Sequence, residues 1–322
     1  MTSRRLAIVF ALATFLVIPT AAQPRTSMFV FRNNFWLNLH QFLRGEVYRR
    51  REKLTLGVDP ASLSDTERAR WTAIIDTYVD VAKHDLVFDD WSTKTHNVLS
   101  GFGDATVVPD GVLEGTLVAA LNAAAPIYRA RLWPERRAAN DAWIAVTKGV
   151  LEGREAVMKA ALEHAYHLTW PSGLYLVTSV GEIGPASAVT HRGPAGYVAH
   201  ILAGAASPRN VAGAPLELLF HEASHTDRVG VRLSAMIDAE ATRQKLMAPR
   251  DLWHHLIMVT SGELAKRELA RTGRPGYRRY DERYEEQIPS VERAAFDGVW
   301  LQYLDGKIPF DQALHDLVRD AR

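Results

Sequence analysis

Two histidines and a glutamate in one short stretch have the spacing of a metal-dependent catalytic motif. Residues 216–225 read Leu-Glu-Leu-Leu-Phe-His-Glu-Ala-Ser-His, so His221 and His225 are four positions apart and Glu222 lies between them. On a helix, residues four apart share one face, which lets both imidazoles bind one zinc ion. Glu222 would then lie close enough to take a proton from a zinc-bound water. The spacing predicts one Zn²⁺ on His221 and His225, with Glu222 as general base.

The flanking residues favour the helix that this motif needs. Pro215 suits the first turn, where a missing N–H costs nothing, and Gly230 is predicted to end the helix. A chance match to a five-residue motif is the alternative, but a match on an apolar-backed helix is rarer. The apolar residues at helical spacing are Leu216, Leu219, Phe220 and Ala223.

One protein ligand remains to be found, because a catalytic zinc uses three and keeps one position open for water. The chain has no cysteine, which leaves histidine, aspartate and glutamate as ligands and also excludes disulfides and a lipid-anchored cysteine. A metzincin would carry a glycine and a histidine further along, where Arg228 and Val231 stand. That subclass is therefore excluded.

Glu263 is the favoured third ligand. It follows an apolar segment predicted to be a buried helix that starts near Pro249 and Asp251, and a carboxylate after such a segment needs a partner, for which a metal would serve. The alternatives that stay open are Asp238, Glu240 and a histidine, either His254 or His255.

A donor is also needed to stabilise the developing oxyanion. His254 and His255 stand together at the start of the segment that carries Glu263, and His254 is predicted to act as this catalytic donor. Asp227 or Glu217 could accept hydrogen bonds from the ligand histidines. The tyrosines of the following Arg-rich loop are further candidate donors: Tyr277, Tyr280 and Tyr284.

The first 22 residues have the pattern of a secretory signal peptide. Arg4 and Arg5 precede an apolar run from Leu6 to Ile18, and a small-residue cleavage site follows, so the mature chain is predicted to begin at Gln23. The run is too short to span a bilayer, so no stable membrane insertion is expected after cleavage. A net charge of +1 gives no sign of nucleic acid as a partner. The protein is predicted to be exported, to the periplasm or beyond.

The rest of the chain predicts an α+β, mostly α-helical fold. Residues 23–169 are expected to be helical, with a helix over 28–50 and a capping box at Ser64 and Glu67 that starts another. Pro134 is expected to start a further helix, and Gly149 and Gly153 are expected to be joints between helices. Residues 170–322 are expected to form the catalytic part, as one compact unit with the helical part. Its β-rich segments, 174–180, 188–190 and 197–201, lie directly before the HExxH helix.

The chain resembles the gluzincin branch of HExxH zinc metallopeptidases and, more closely, a poorly characterised group of exported bacterial proteins. This resemblance implies a zincin-like core, Glu263 as ligand, His254 in preference to His255, and Asn38 and His40 near the cleft. In zincin folds a small sheet beside the HExxH helix offers an edge strand to an extended substrate. Gly262 and Arg267 stand where thermolysin-like enzymes have Asn and Asp, so the surroundings of the ligands must differ. The stretches that carry the resemblance are residues 34–40, 133–143, 220–225, 252–254 and 261–263.

The sequence thus predicts a zinc metallopeptidase that acts on peptide or protein substrates. Two alternatives remain: a zinc hydrolase of a non-peptide amide such as a cell-wall fragment, and a non-catalytic, zinc-stabilised binding protein. Glu222 argues against the second, since zinc binding alone does not need a base. Substrate preference, endo- or exopeptidase action and oligomeric state leave no signal in the sequence.

Overall fold

A four-stranded sheet lies at the centre of the molecule. The computed structural model describes residues 27–86, 89–183, 187–207, 209 and 212–322, and the predicted signal peptide lies outside them. The strand order is β1-β2-β4-β3, in which β2 is parallel to both β1 and β4, and β3 is antiparallel to β4. The strands are β1 (Phe29–Asn33), β2 (Leu174–Val180), β3 (Ala188–Arg192) and β4 (Tyr197–Gly204).

Helices make up most of the rest, which confirms the predicted α+β, mostly helical class. Before β2 they are α1 (Phe35–Arg51), α2 (Asp65–Val81), α3 (Asp90–Ser100), α4 (Gly115–Arg131), α5 (Trp133–Leu151) and α6 (Glu155–Tyr166). After β4 they are α7 (Ala214–Ser224), α8 (Arg232–Arg243), α9 (Leu252–Arg271), α10 (Tyr280–Arg283), α11 (Ser290–Ala295), α12 (Leu301–Leu304) and α13 (Phe310–Asp320). None of the helices in these described ranges is long and apolar enough to cross a membrane.

The start of the first predicted helix is corrected by the structure. Residues 29–33 form β1, which pairs in parallel with β2, and only from Phe35 onward is the chain helical. Asn34 marks the change, since its side-chain oxygen accepts a hydrogen bond from the N–H of Leu37 at 2.9 Å. A five-residue strand is stable only when a partner strand lies beside it, and that partner is distant in sequence.

Three other local predictions are confirmed and one, the joint at Gly149, is wrong. The capping box at Ser64 and Glu67 is present and α2 follows it. Pro134 lies in the first turn of α5, but Gly149 lies inside that helix, and it is Gly153, with φ +72°, that separates α5 from α6.

Apolar side chains cover both faces of the sheet. Tyr175, Val177 and Ile201 pack towards α5, α6, α7 and α9 on one face. Val180 and Leu202 pack towards α1, α2 and α4 on the other. Strands from both sides of the boundary predicted at residue 169 therefore belong to one sheet, and helices on both of its faces bury it.

Helix α7 ends earlier than Gly230, the residue predicted to end it. The helix stops at Ser224, and Gly230 lies inside a π-helical turn, Asp227–Val231, that leads into α8. A Cβ on this glycine would lie 3.0 Å from the Ser224 carbonyl oxygen and 3.1 Å from the Trp253 ring. Glycine is needed here for the close approach of this turn to α9, not as a helix stop.

Candidate metal centre

Three histidines from two packed helices meet at one point. His221 lies in the last turn of α7, His225 directly follows that helix, and His254 lies in the first turn of α9. One nitrogen from each lies within 4.8 Å of the other two, and the two Nε2 atoms of the HExxH pair are 3.1 Å apart. Two ligands about 2.0–2.1 Å from a tetrahedral zinc are roughly 3.3 Å apart. Among the described residues, only these histidines form a group of three or more that could hold a metal ion.

All three imidazoles are in the protonation state that binds metals. Desolvation lowers the pKa of His221 well below its usual value, and it lowers the pKa of His225 to about 3 and that of His254 to about 4. The positive charges that the neighbouring histidines would carry act in the same direction. Neutral imidazole is the form that offers a lone pair, so no proton has to be displaced near pH 7.

The packing of α7 against α9 sets the position of the third histidine. Leu216, Leu219 and Phe220 are fully buried between α7 and the rest of the core. The Trp253 ring meets the His225 ring edge-on, with centroids 5.6 Å apart. Because Trp253 precedes His254 in α9, the same contact brings the His254 ring to 5.1 Å from that of His225.

The predicted third ligand, Glu263, has other partners in the structure. Glu263 is not part of the histidine group: its carboxylate accepts hydrogen bonds from Arg267 Nε at 2.7 Å and Arg279 Nη1 at 3.0 Å. It lies on α9, nine residues after His254, which is roughly 13 Å along a helix axis. The partner that this partly buried carboxylate needed is a pair of guanidinium groups, not a metal.

His255, Glu240 and Asp238 also lie outside the histidine group. The Nδ1 atom of His255 lies 2.6 Å from a carboxylate oxygen of Glu292. Glu240 is buried against Arg243 and His315. Asp238 is exposed on the wall of a cavity beside the histidines.

His254 thus belongs to the group that could hold a metal ion, whereas the sequence predicted a hydrogen-bond donor to the oxyanion. No spacing rule links it to the HExxH motif. The only local signal was its place at the start of an apolar helix, and the fold of two distant helices decides its role.

Glu222 is buried beside this group and has one hydroxyl partner. Thr190, on β3, donates a hydrogen bond from its Oγ1 to Glu222 Oε2 at 2.6 Å. Burial raises the pKa of Glu222 to about 7, and the Thr190 hydrogen bond opposes that rise. A carboxyl with a pKa near neutrality can both take and return a proton. Thr190 was not identified from the sequence, where it is one threonine in a short β-rich run.

Two cavities share residues of the histidine group in their walls. The smaller has a volume of about 320 Å³ and the larger about 880 Å³. Both are lined by Ala188, His221, Glu222 and His254. The histidine group and Glu222 therefore lie at the junction of the two cavities.

Strand β3 forms one wall of the larger cavity and is an edge of the sheet. Ser187 and Gly193 flank the strand and share hydrogen bonds with the β4 side. In an antiparallel pair, bonded and non-bonded residues alternate. The backbone N–H and C=O groups of Ala188, Thr190 and Arg192 therefore point away from β4, towards the cavity edge.

The three tyrosines differ in position. Tyr280 lines the smaller cavity, and its hydroxyl accepts a hydrogen bond from Arg209 Nη1 at 2.6 Å. Tyr277 is buried and donates to Glu217, and the Tyr284 ring packs against that of Tyr280 at a tilt of 42°. Glu217 accepts from Tyr277 and from the Tyr280 N–H, so it serves the tyrosine loop and not a ligand histidine.

The residues that the resemblance placed near the cleft lie deeper. Neither Asn38 nor His40 is among the described residues that line the two cavities. Asn38 joins α1 to the sheet through Asn140 and the Ser179 carbonyl oxygen, at 2.9 and 3.0 Å. His40 contacts the hydroxyl of Tyr78 at 3.2 Å.

A second set of histidines, His96, His191 and His200, lies on β3 and on the elements beside it. The Gln41 amide donates to His96 Nε2 at 2.9 Å, so the proton of His96 is on Nδ1, which contacts His191 Nε2 at 2.8 Å. His200 bridges Thr178 and Asn97 at 2.9 and 3.0 Å. Burial lowers the pKa of His191 to about 4 and that of His200 to about 3. These imidazoles have their hydrogen-bond partners, so the set reads as structural.

Comparison of the chain with protein families, with curated proteins and with solved structures gives no match.

Proposed function

We propose that this protein is a zinc-dependent hydrolase of peptide bonds. The observation that carries the proposal is the position of Glu222, a buried carboxyl beside three neutral histidines at the junction of two cavities. A site that only stored or was stabilised by a metal would gain nothing from a buried base. Burial of Glu222 costs stability, which favours a catalytic use.

Zinc fits the donor set best. Three imidazole nitrogens with an open fourth position are typical of catalytic zinc, and softer metals prefer thiolates, which this chain lacks. When bound, zinc would supply a Lewis acid for the scissile carbonyl and lower the pKa of a water molecule. His221, His225 and His254 would hold it.

Glu222 would carry the proton through the reaction. It takes one proton from the attacking water, whose oxygen forms the new bond to the carbonyl carbon, and it delivers that proton to the nitrogen as the C–N bond breaks. Thr190 fixes the carboxylate by its hydrogen bond to Oε2. Tyr280 lines the same cavity as Glu222 and is the tyrosine best placed to donate to the oxyanion.

The edge of β3 favours an extended peptide as substrate. The outward backbone groups of Ala188, Thr190 and Arg192 offer a row of donors and acceptors along the larger cavity. A peptide that pairs with them as an added strand would run past the histidines. A non-peptide amide would make less use of this edge.

The test uses the full chain loaded with zinc and the variant Glu222→Gln. The amide keeps the size of the side chain but cannot take a proton. We expect zinc content to stay at one equivalent while peptide hydrolysis falls by about 10²–10⁴-fold. Glu263→Gln serves as the matched control, because it changes a carboxylate outside the site and should keep wild-type activity.

Hydrolysis by Glu222→Gln at the wild-type rate would refute Glu222 as the base. A wild-type protein that cleaves wall-derived amides and no peptide would keep the chemistry but replace the substrate. A protein that binds zinc and cleaves neither would leave it as a metal-binding protein without this activity. The export expected from residues 1–22 stays a prediction and can be checked by fractionation of the producing cells.

A further inference from the structure

The wall of the smaller cavity contains an arginine that has no ion-pair partner among the described residues. Arg283, at the end of α10, lines this cavity together with His221 and His254 and is only partly exposed. Its Nη1 donates to the backbone carbonyl of Arg209 at 3.0 Å. Within the described part of the chain Arg283 forms no ion pair, in contrast to the nearby Arg279 and Arg293.

Three tyrosine rings hold this guanidinium in place. Its Cζ lies 5.8 Å from the Tyr277 ring centre, 5.7 Å from that of Tyr280 and 5.6 Å from that of Tyr284. Cation–π contacts at these distances stabilise the guanidinium where it lies, and its buried Nε has no hydrogen-bond partner among the described residues. The group is therefore pre-positioned at the cavity and has N–H donors left to use.

The two acids that line this cavity form no ion pair with Arg283, although its charge acts on Glu217 and lowers the pKa that burial raises. Glu217 and Glu222 are the two carboxyls on its wall. Glu217 accepts hydrogen bonds from Tyr277 and from the Tyr280 N–H, and Glu222 accepts from Thr190. Leu218 and Met258 are the larger apolar residues of the wall, and its other polar residues include Ser187, Arg209 and Gln287. A partly buried cation in such surroundings is stabilised by an anion that enters with its ligand.

We propose that Arg283 binds a carboxylate of the substrate, so that the smaller cavity takes a carboxylate-bearing residue on one side of the scissile bond. The proposal rests on the proposed function and names the substrate class. A guanidinium pairs with a carboxylate through two parallel hydrogen bonds. The carboxylate is either the free C-terminus, which makes the protein a carboxypeptidase, or the side chain of an acidic residue. The cavity of about 320 Å³ is at the small end of ligand sites, which fits one residue.

Binding to zinc-loaded Glu222→Gln protein tests this without turnover. Three probes are compared by calorimetry: acetylated phenylalanyl-leucine with a free carboxylate, the same peptide amidated, and acetylated phenylalanyl-glutamate amide. We expect one carboxylate probe to bind about 10–100-fold more tightly than the neutral amide. Which of the two does so identifies the source of the carboxylate.

The second arm repeats the titrations with Arg283→Gln added. The preference for carboxylate should fall to within threefold, while Arg274→Gln, an exposed arginine on the loop before Tyr277, should keep it. Arg283→Lys keeps the charge without the planar fork and should retain part of the preference, which separates loss of recognition from loss of fold. Equal affinity for all three probes, or a preference that survives Arg283→Gln, overturns the proposal.

The two proposals fail separately. If the wild-type protein hydrolyses acid and amide peptides at equal rates, the hydrolase proposal is supported and the carboxylate site is refuted. If the protein hydrolyses no peptide but prefers carboxylate probes in a way that depends on Arg283, the carboxylate site is supported and the peptidase proposal is refuted.

Discussion

Thr190 and Glu222 join the edge of the sheet to the HExxH helix through one hydrogen bond of 2.6 Å. The same threonine hydroxyl is 3.0 Å from the backbone carbonyl of Glu222. Residue 190 is thus both an outward-facing position of β3 and the partner of the proposed base. The strand that would bind a substrate backbone also orients the carboxyl that would act on it.

Thr190→Val should move the pH dependence of hydrolysis. The hydrogen bond stabilises the charged carboxylate, so its loss raises the pKa of Glu222 further above about 7. A general base must be deprotonated, so activity falls as the pH drops through this pKa, and in the variant the fall begins at a higher pH. At pH 7 we expect kcat/KM to fall about tenfold. Thr190→Ser keeps the hydroxyl and should behave like wild type; coincident pH profiles for Val and wild type would rule out the role.

His254→Ala and Glu263→Gln should have opposite effects on metal binding. Loss of a direct ligand should weaken zinc affinity by more than the roughly 10–100-fold that changes to surrounding partners cause. Glu263 is held by Arg267 and Arg279, so its variant should keep affinity to within about threefold. Competition with a chromophoric chelator measures both. Zinc lost from the glutamate variant and kept by the histidine variant would restore Glu263 as the ligand.

His200→Gln should flatten the acid dependence of stability. Burial lowers the pKa of His200 to about 3, against an unfolded value near 6.5. Between these values the unfolded chain binds the extra proton, so stability is complete above pH 6.5 and is lost as the pH falls. Glutamine does not titrate, so its stability deficit at pH 7 should shrink by about 2 kcal/mol at pH 5. Urea unfolding of the variant and of the wild type at pH 7 and at pH 5 measures the deficit. Contributions from Glu217 and Glu222 are the same in both proteins and cancel. A stability deficit that is the same at pH 5 and pH 7 would contradict this prediction.

Gly262→Ala and Gly149→Ala should change stability in opposite directions. A Cβ on Gly262 would lie 2.8 Å from Glu217 Oε1 and 3.2 Å from Arg279 Cβ, so either α9 or the buried, hydrogen-bonded Glu217 carboxylate must shift, at a cost of about 1–3 kcal/mol. Gly149 is exposed inside α5 with no atom within 4 Å of such a Cβ. Alanine there should stabilise by about 0.5–1 kcal/mol. Thermal unfolding compares the two, and stabilisation by both would show that α9 has room at Gly262.

Features with a local cause were predictable from the sequence. The position of α7, the strands β2 to β4 and the capping box of α2 follow from spacing within a few residues. β1 was not predictable from the sequence, because these five residues form a strand only beside β2, which is more than a hundred positions away. The third histidine and Thr190 belong to the same class. Each reaches the site through packing between elements. The sequence favoured Glu263 because a carboxylate after an apolar segment needs a partner, but it did not indicate that Arg267 and Arg279 are those partners.

The position of two histidines at the end of α7 affects the free energy of metal binding. The N–H of His225 closes the helix on the Glu222 carbonyl at 3.0 Å, so His221 and His225 lie where the partial negative charge of the helix dipole is greatest. A divalent cation bound there would act as a C-terminal cap and would bind the folded form alone. Loading and local order then form one coupled equilibrium. Chelation should raise amide hydrogen exchange over residues 222–231 before the sheet opens, which would make the apo form the easier substrate for proteolysis.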